Sequence, residues 1–174
     1  MELFEAIEQR YSYRGEFTAE KIGRADLERV VRAGIRAPSG CNAQTTSFVI
    51  VDDPERIAKM AEIVGKPVVA TAAAVIVCVA DHRPVYHELA FGVEDCSAAV
   101  ENMLLAITAL GYASVWLDGV LRREGRAASV AALLHIPQNL EVRVILPVGI
   151  PANPGAPRER KPFEERAWFN RFGG

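Results

Sequence analysis

Ala73-Ala74-Val75-Ile76-Val77-Cys78-Val79-Ala80 decides the fold. The run is β-branched through its centre and holds no charged or amide side chain. A strand with one wet face alternates apolar and polar residues; an unbroken apolar run marks a strand covered on both faces. Residues 73–80 therefore read as a central strand with helices on either side.

The flanking chain supplies those helices. Leu3, Phe4 and Ile7 share one face of a helix over 2–9, and Leu27, Val30, Val31, Gly34 and Ile35 follow the i, i+3, i+4 rhythm of a second, closed by Pro38. SFVIVD at 47–52 reads as a strand. Pro54 then sits where a first helical turn tolerates it, opening a helix to about 64. A long helix is expected over 86–110, with Cys96, Ala99, Val100, Met103, Leu104, Ile107 and Leu110 as its apolar stripe and Gly111 as its stop. A third strand at 112–117, a helix at 124–134 and a fourth strand, EVRVILPVG at 141–149, complete the pattern. Helices and strands alternate after residue 47, so the economical architecture packs helices on both faces of one sheet.

Composition narrows the function. The chain has 174 residues, 50% of them hydrophobic, which suits one domain and excludes disorder. No apolar run approaches the roughly 18–20 residues of a membrane span. The acidic opening Met1-Glu2-Leu3-Phe4-Glu5 does not read as a secretory signal, so a cytoplasmic location is expected. A net charge of −2 argues against nonspecific nucleic-acid binding. Of the 20 basic residues only four are lysine, and arginine's planar fork suits phosphate or carboxylate. Cys41, Cys78 and Cys96 are scattered without a CxxC, as in reduced thiols. Pro151, Pro154, Pro157 and Pro162 impose an extended tail that still carries Phe163, Trp168, Phe169 and Phe172. These aromatics need burial, on the chain's own surface or on a partner.

Four polar segments could carry chemistry. Arg10-Tyr11-Ser12-Tyr13-Arg14 projects Arg10, Ser12 and Arg14 to one side if extended, a set able to grip a phosphate. A basic helix end complementing the macrodipole also explains Arg10, but not Ser12 or Arg14. Arg158-Glu159-Arg160-Lys161 gathers three cations within the proline-rich tail, solvated unless folding brings them to the first cluster. Ala37-Pro38-Ser39-Gly40-Cys41-Asn42-Ala43-Gln44 is a tight polar loop whose amides suit the edge of a flat heterocycle. Asp118-Gly119, after Trp116-Leu117 at a strand end, lets a ligand approach the backbone.

In this order the segments resemble those of the nitroreductase family of flavin-dependent oxidoreductases. Arg10, Ser12 and Arg14 match its R-x-S-x-R/K opening; Ala37, Pro38, Ser39, Asn42 and Gln44 match its A-P-S-x-x-N-x-Q loop. Residues 95–102 with Gly111 and Trp116 look like its long helix and following strand. Gly149-Ile150-Pro151 with Arg158-x-Arg160-x-Pro162 looks like its strand end and basic arm. The resemblance implies an α/β (α+β) fold: a three-layer α/β/α sandwich on a mixed, mainly antiparallel sheet of about four strands. It implies FMN at the interface of an intertwined homodimer, with residues 1–150 as one FMN-binding domain and 151–174 as an arm crossing to the partner. Arg10, Tyr11, Ser12, Arg14, Arg158 and Arg160 would hold the phosphate, ribityl chain and pyrimidine edge. Pro38, Ser39, Gly40 and Asn42 would reach the flavin from the other subunit, and Asp118-Gly119 match an E-G step whose amides face the reactive nitrogen.

The implied reaction moves electrons from NADH or NADPH to a small oxidant such as a nitroaromatic, quinone or flavin, with no side chain needed as acid or base. Arg14 is the candidate positive group beside the pyrimidine edge of the ring. The family's Q-P-W is here Gln44-Thr45-Thr46, its Gly-Leu-Gly is Gly111-Tyr112-Ala113, and the segment 64–72 lacks a large helical excursion over the flavin. These changes leave the acceptor unassigned. A flavin-holding or flavin-sensing protein with little turnover is the alternative, and a dimer without cofactor a third. Asp81, His82, His87, Glu88 and Asp95 hold no i, i+4 histidine pair, so no metal is expected. Cys41 reads as small-residue packing or a redox thiol.

Overall fold

The computed structural model describes residues 1–173. It contains helices α1 (Leu3–Gln9), α2 (Arg24–Ile35), α3 (Pro54–Val64), α4 (Pro67–Ala70), α5 (Gly92–Ala109) and α6 (Arg126–Leu133). Strands β1 (Thr46–Val51), β2 (Ala74–Asp81), β3 (Ala113–Ser114) and β4 (Leu140–Gly149) form one sheet in the order β1-β2-β4-β3, every pair antiparallel.

The central strand is covered on both faces. Val75, Val77 and Val79 pack with Ile57, Met60 and Val64 of α3, Val68 and Val69 of α4, and Val130 of α6. Ala74, Ile76, Cys78 and Ala80 pack with Leu27 and Val30 of α2 and Cys96, Val100, Met103 and Ile107 of α5. Alternate residues of one strand thus feed two separate cores, and the three-layer sandwich follows. Gly34 lets α2 approach α5: a Cβ there would lie 2.9 Å from Met103 Cγ.

Strand β4 carries one extra residue. Cys78 faces Val144 but Val79 faces Val142, so Arg143 is a bulge. Side-chain parity reverses across it, and Val142 and Ile145 end in one core while Val144, Leu146 and Val148 end in the other.

Two expected elements are shorter than their sequence patterns. The long helix begins at Gly92, since 85–89 close a tight turn in which Val85 and Tyr86 amides donate to the Leu89 carbonyl and His87 adopts φ 51°. The third strand is laddered only at Ala113–Ser114, with an isolated bridge from Leu117 to Ile145 in the same register. That register sets Val115 opposite Pro147, whose nitrogen has no proton to donate, so the ladder breaks there.

Segment 12–17 completes the sheet edge. Ser12 bridges Ser114 in parallel, and the Tyr13 amide donates to the Ser114 carbonyl at 2.8 Å. Phe17 bridges Pro151, and the Ala152 amide donates to the Glu16 carbonyl at 3.0 Å. The start of the tail is thereby clipped to the segment that follows α1.

Candidate functional site

Clipping the tail to residues 13–17 brings the two ends of the chain together. Tyr11, Ser12, Arg14, Ala156, Arg158 and Arg160 line one cleft of about 320 Å³. Gly155 lies flat on Tyr11, where a Cβ would stand 2.2 Å from the ring. Burial raises the Tyr11 phenol above its ordinary pKa, and the neighbouring Tyr13 hydroxyl adds to this. Tyr13 donates to the Glu16 carbonyl at 2.5 Å and its oxygen accepts from the Asn153 amide at 3.5 Å, bracing the junction. None of Arg14, Arg158 and Arg160 has a carboxylate partner among the described residues. Three guanidinium groups gathered without counterion form a receptor for an anion.

Arg10 stands apart from this cleft. Its Nε lies 3.5 Å from Glu101 on α5, and it is absent from the cleft lining. The helix before it turns Ala6 inward, leaving Leu3 and Phe4 at 62% and 77% exposure with Ile7 beside them.

The loop at 37–45 is held against the start of α5, a different part of the molecule. Asp95 is buried there and accepts from the Gly40 amide at 2.8 Å and the Thr45 hydroxyl at 2.5 Å. The Gln44 amide donates to Ser39 Oγ at 3.0 Å, and Arg83 donates to the Ala43 carbonyl at 2.9 Å. Cys41, Asn42 and Gln44 all adopt left-handed φ near 50°. Such backbone persists only where its surroundings over-determine it. Phe91 presses on Gly40, where a Cβ would meet its ring at 2.3 Å. Pro38 and Ser39 border a second cleft with Asp95, Thr46 and Phe48, and the buried Thr46 hydroxyl has no partner among the described residues. In the sequence Asp95 reads as part of the long helix and as one of the acidic residues weighed for a metal site; its structural role depends on a loop 55 positions away.

Asp118 and Gly119 follow the Leu117–Ile145 bridge. Asp118 accepts from Arg122 at 2.6 Å, and Arg143 reaches it at 3.7 Å from the β4 bulge. The Gly119 amide donates to no group among the described residues. With Trp116, this turn borders a third cleft whose other walls carry Lys66, Arg123 and Arg126. No spacing in the sequence signals those three cations, since they come from separate elements.

The remaining candidates have ordinary structural partners. His82 pairs with Glu141 at 2.5 Å, and Asp81 binds Arg83. Cys78 and Cys96 are buried while Cys41 is exposed. Phe169 and Phe172 of the tail are 80% and 88% exposed, so the chain's own surface does not cover them. No helix among the described residues is long and apolar enough to cross a membrane.

Comparisons with known proteins agree with this architecture. The model of the nitroreductase family matches residues 7–75 and 66–150. A protein of Archaeoglobus fulgidus with the provisional name NADH dehydrogenase/NAD(P)H nitroreductase is 39% identical over 137 residues, 78% of each chain. The crystal structure of nitroreductase A from Vibrio parahaemolyticus superposes with a TM-score of 0.85 at 26% identity, covering 100% of this chain and 78% of that one. An FMN-dependent nitroreductase of Clostridium difficile shares the fold, with a TM-score of 0.83 at 22% identity over 97% of this chain and 99% of that one.

Proposed function

The chain belongs to the nitroreductase family, and from that premise we propose that it is an FMN-dependent oxidoreductase. It passes electrons from NADH or NADPH to a small acceptor such as a nitroaromatic, quinone or flavin. The carrying observation is the cleft of Ser12, Arg14, Arg158 and Arg160, with three guanidinium groups lacking a carboxylate partner among the described residues. The donor set suits the phosphate of FMN, a dianion that such groups bind with charge-assisted hydrogen bonds. The relatives' names support the electron donor, and the C. difficile protein's name supports the cofactor.

FMN, when bound, would supply the redox chemistry linking the nicotinamide nucleotide to the acceptor. The chain's own work is binding and electrostatics. Ser12, Arg14, Arg158 and Arg160 neutralise and orient the phosphate end, with Tyr11 as the wall beneath them. Arg10 contributes from α1 on release from Glu101. The Gly119 amide, which donates to no group among the described residues, offers a donor at a strand end beside Asp118, itself held by Arg122 and Arg143. No side chain is assigned as acid, base or nucleophile.

A second copy of the chain completes this site. Residues 1–150 act as one domain and 151–174 as an arm across the partner. The uncovered Phe169 and Phe172, and the outward Leu3, Phe4 and Ile7 of α1, supply apolar surface for that contact. The loop with Pro38, Ser39, Gly40 and Asn42 lies at the α5 N-terminus, outside the chain's own arginine cleft, and serves the partner's flavin.

The test is a visible spectrum followed by anaerobic titration. The purified protein is expected to be yellow, to bleach with NADH or NADPH, and to regain colour when a quinone or nitroarene is added. Colourless protein that does not take up FMN overturns the cofactor assignment; yellow protein that never bleaches favours a flavin-holding role.

A further inference from the structure

Beyond its first turn, helix α5 carries a single charged side chain, Glu101. The residues one turn away along the same face, Ser97, Ala98, Leu104 and Leu105, offer it no cation. Its one basic partner among the described residues is Arg10, at the end of α1. That contact spans 3.5 Å from Nε to the carboxylate, longer than a hydrogen bond of this type. The side chains are 19% exposed for Arg10 and 51% for Glu101. A largely covered guanidinium is thus held by one long ionic contact.

Arg10 borders the arginine cleft in sequence without joining it in space. Its backbone is fixed, since it caps α1 with φ −62° and ψ 127° and its amide donates to the Ala6 carbonyl at 3.0 Å. The next two residues, Tyr11 and Ser12, line the cleft. Arg14, Arg158 and Arg160 have no carboxylate partner among the described residues, whereas Arg10 has Glu101. One of the four arginines near this junction is therefore withheld from it.

We infer that Glu101 is a gate on cofactor affinity: it holds the Arg10 guanidinium against α5 in the empty protein, and a phosphate entering the cleft must draw that guanidinium away. The identity of the ligand rests on the proposed function. The moving part is the Arg10 side chain, which changes rotamer while its backbone stays capped on α1. A phosphate dianion takes two parallel hydrogen bonds from the planar fork, a stronger contact than a long one to Nε, so the phosphate prevails. Glu101 nevertheless subtracts the strength of a surface ion pair, about two- to fivefold in Kd. It is a positioning residue, acting through Arg10.

Equilibrium dialysis of the purified chain against FMN and against riboflavin tests this without electron transfer. Riboflavin keeps the ring and ribityl chain and lacks the phosphate. Glu101→Gln is expected to tighten FMN about two- to fivefold and to leave riboflavin unchanged. Arg10→Gln weakens FMN, and adding Glu101→Gln to it should have no further effect, as for two residues that act as a pair. Calorimetry with inorganic phosphate is the second arm, with the same tightening expected in Glu101→Gln. Glu101 is exposed, so circular dichroism should not change.

Equal FMN affinity in wild type and Glu101→Gln overturns the inference, and so does weaker binding, which would make Glu101 a support for Arg10. Tightening that persists in the Arg10→Gln background also overturns it, since that reports only relief of charge repulsion. Tightening that extends to riboflavin overturns it by showing that the phosphate is not involved. A chain that takes up no flavin, yet binds inorganic phosphate more tightly in Glu101→Gln, sinks the cofactor reading and leaves the gate standing. One that binds neither overturns both.

Discussion

Arg14 and Arg160 lie at opposite ends of the sequence yet border one cleft, and their joint removal is the sharpest test of the cofactor assignment. Arg14→Ala with Arg160→Ala should lower FMN affinity by at least about a hundredfold, since each charge-assisted hydrogen bond is worth roughly 1.5–3 kcal/mol. Fluorescence of released flavin reads this directly; full retention would remove the phosphate role. Arg10 is expected to contribute less, because its guanidinium is engaged by Glu101. The alternate spacing of Arg10, Ser12 and Arg14 was legible in sequence, whereas the split between Arg10 and Arg14 was not. It depends on Ser12 bridging β3 and on Glu101 facing α1. The cysteines follow the same logic. Cys41 is exposed, while the hydrogen bond with the adjacent Cys96 thiol, and then burial, push Cys78 well above its ordinary pKa. Ellman's reagent should therefore titrate one thiol in the native protein at mildly alkaline pH and all three after denaturation. Rapid native reaction of Cys78 would contradict the packing.

At the scale of elements, the loop 37–45 and helix α5 form one unit through Asp95. Asp95→Ala strands the Gly40 amide and the Thr45 hydroxyl and releases a backbone with three left-handed residues. Urea unfolding should show a loss of about 1.5–3 kcal/mol or more, with Asp95→Asn milder because it keeps one acceptor oxygen. The junction of β2 and α5 is also tight: a Cβ on Gly92 would stand 2.6 Å from the Asp81 carbonyl oxygen. Gly92→Ala should cost about 1–3 kcal/mol, as overpacking against backbone does. A neutral result would mean the helix start has room to shift. Sequence periodicity placed α2, α3, α6 and the main strands within a few residues. It overextended α5 because Tyr86 and Leu89 belong to a turn at 85–89, and it overextended β3 because Pro147 lies on another strand.

For the whole molecule, exposed aromatics and an extended tail make the oligomeric state a direct measurement. Light scattering coupled to size exclusion should give twice the chain mass. A chain ending at Ile150 should be monomeric or insoluble and should retain no FMN, having lost Arg158 and Arg160. A stable, yellow dimer of the truncated chain would refute the crossing arm. By itself the sequence determined the layered architecture. An unbroken apolar strand has only one way to hide both faces, and helical stripes supply the cover. It also marked the chemistry-bearing segments, because residue types and order along the chain are local information. What only the tertiary structure decided is which residues meet: Arg14 with Arg158 and Arg160, and Asp95 with Gly40. Those meetings depend on strand register, one bulge and a tail clipped to a sheet edge. Pairing between distant residues is set by the free energy of the whole packed chain, which no local window of sequence contains.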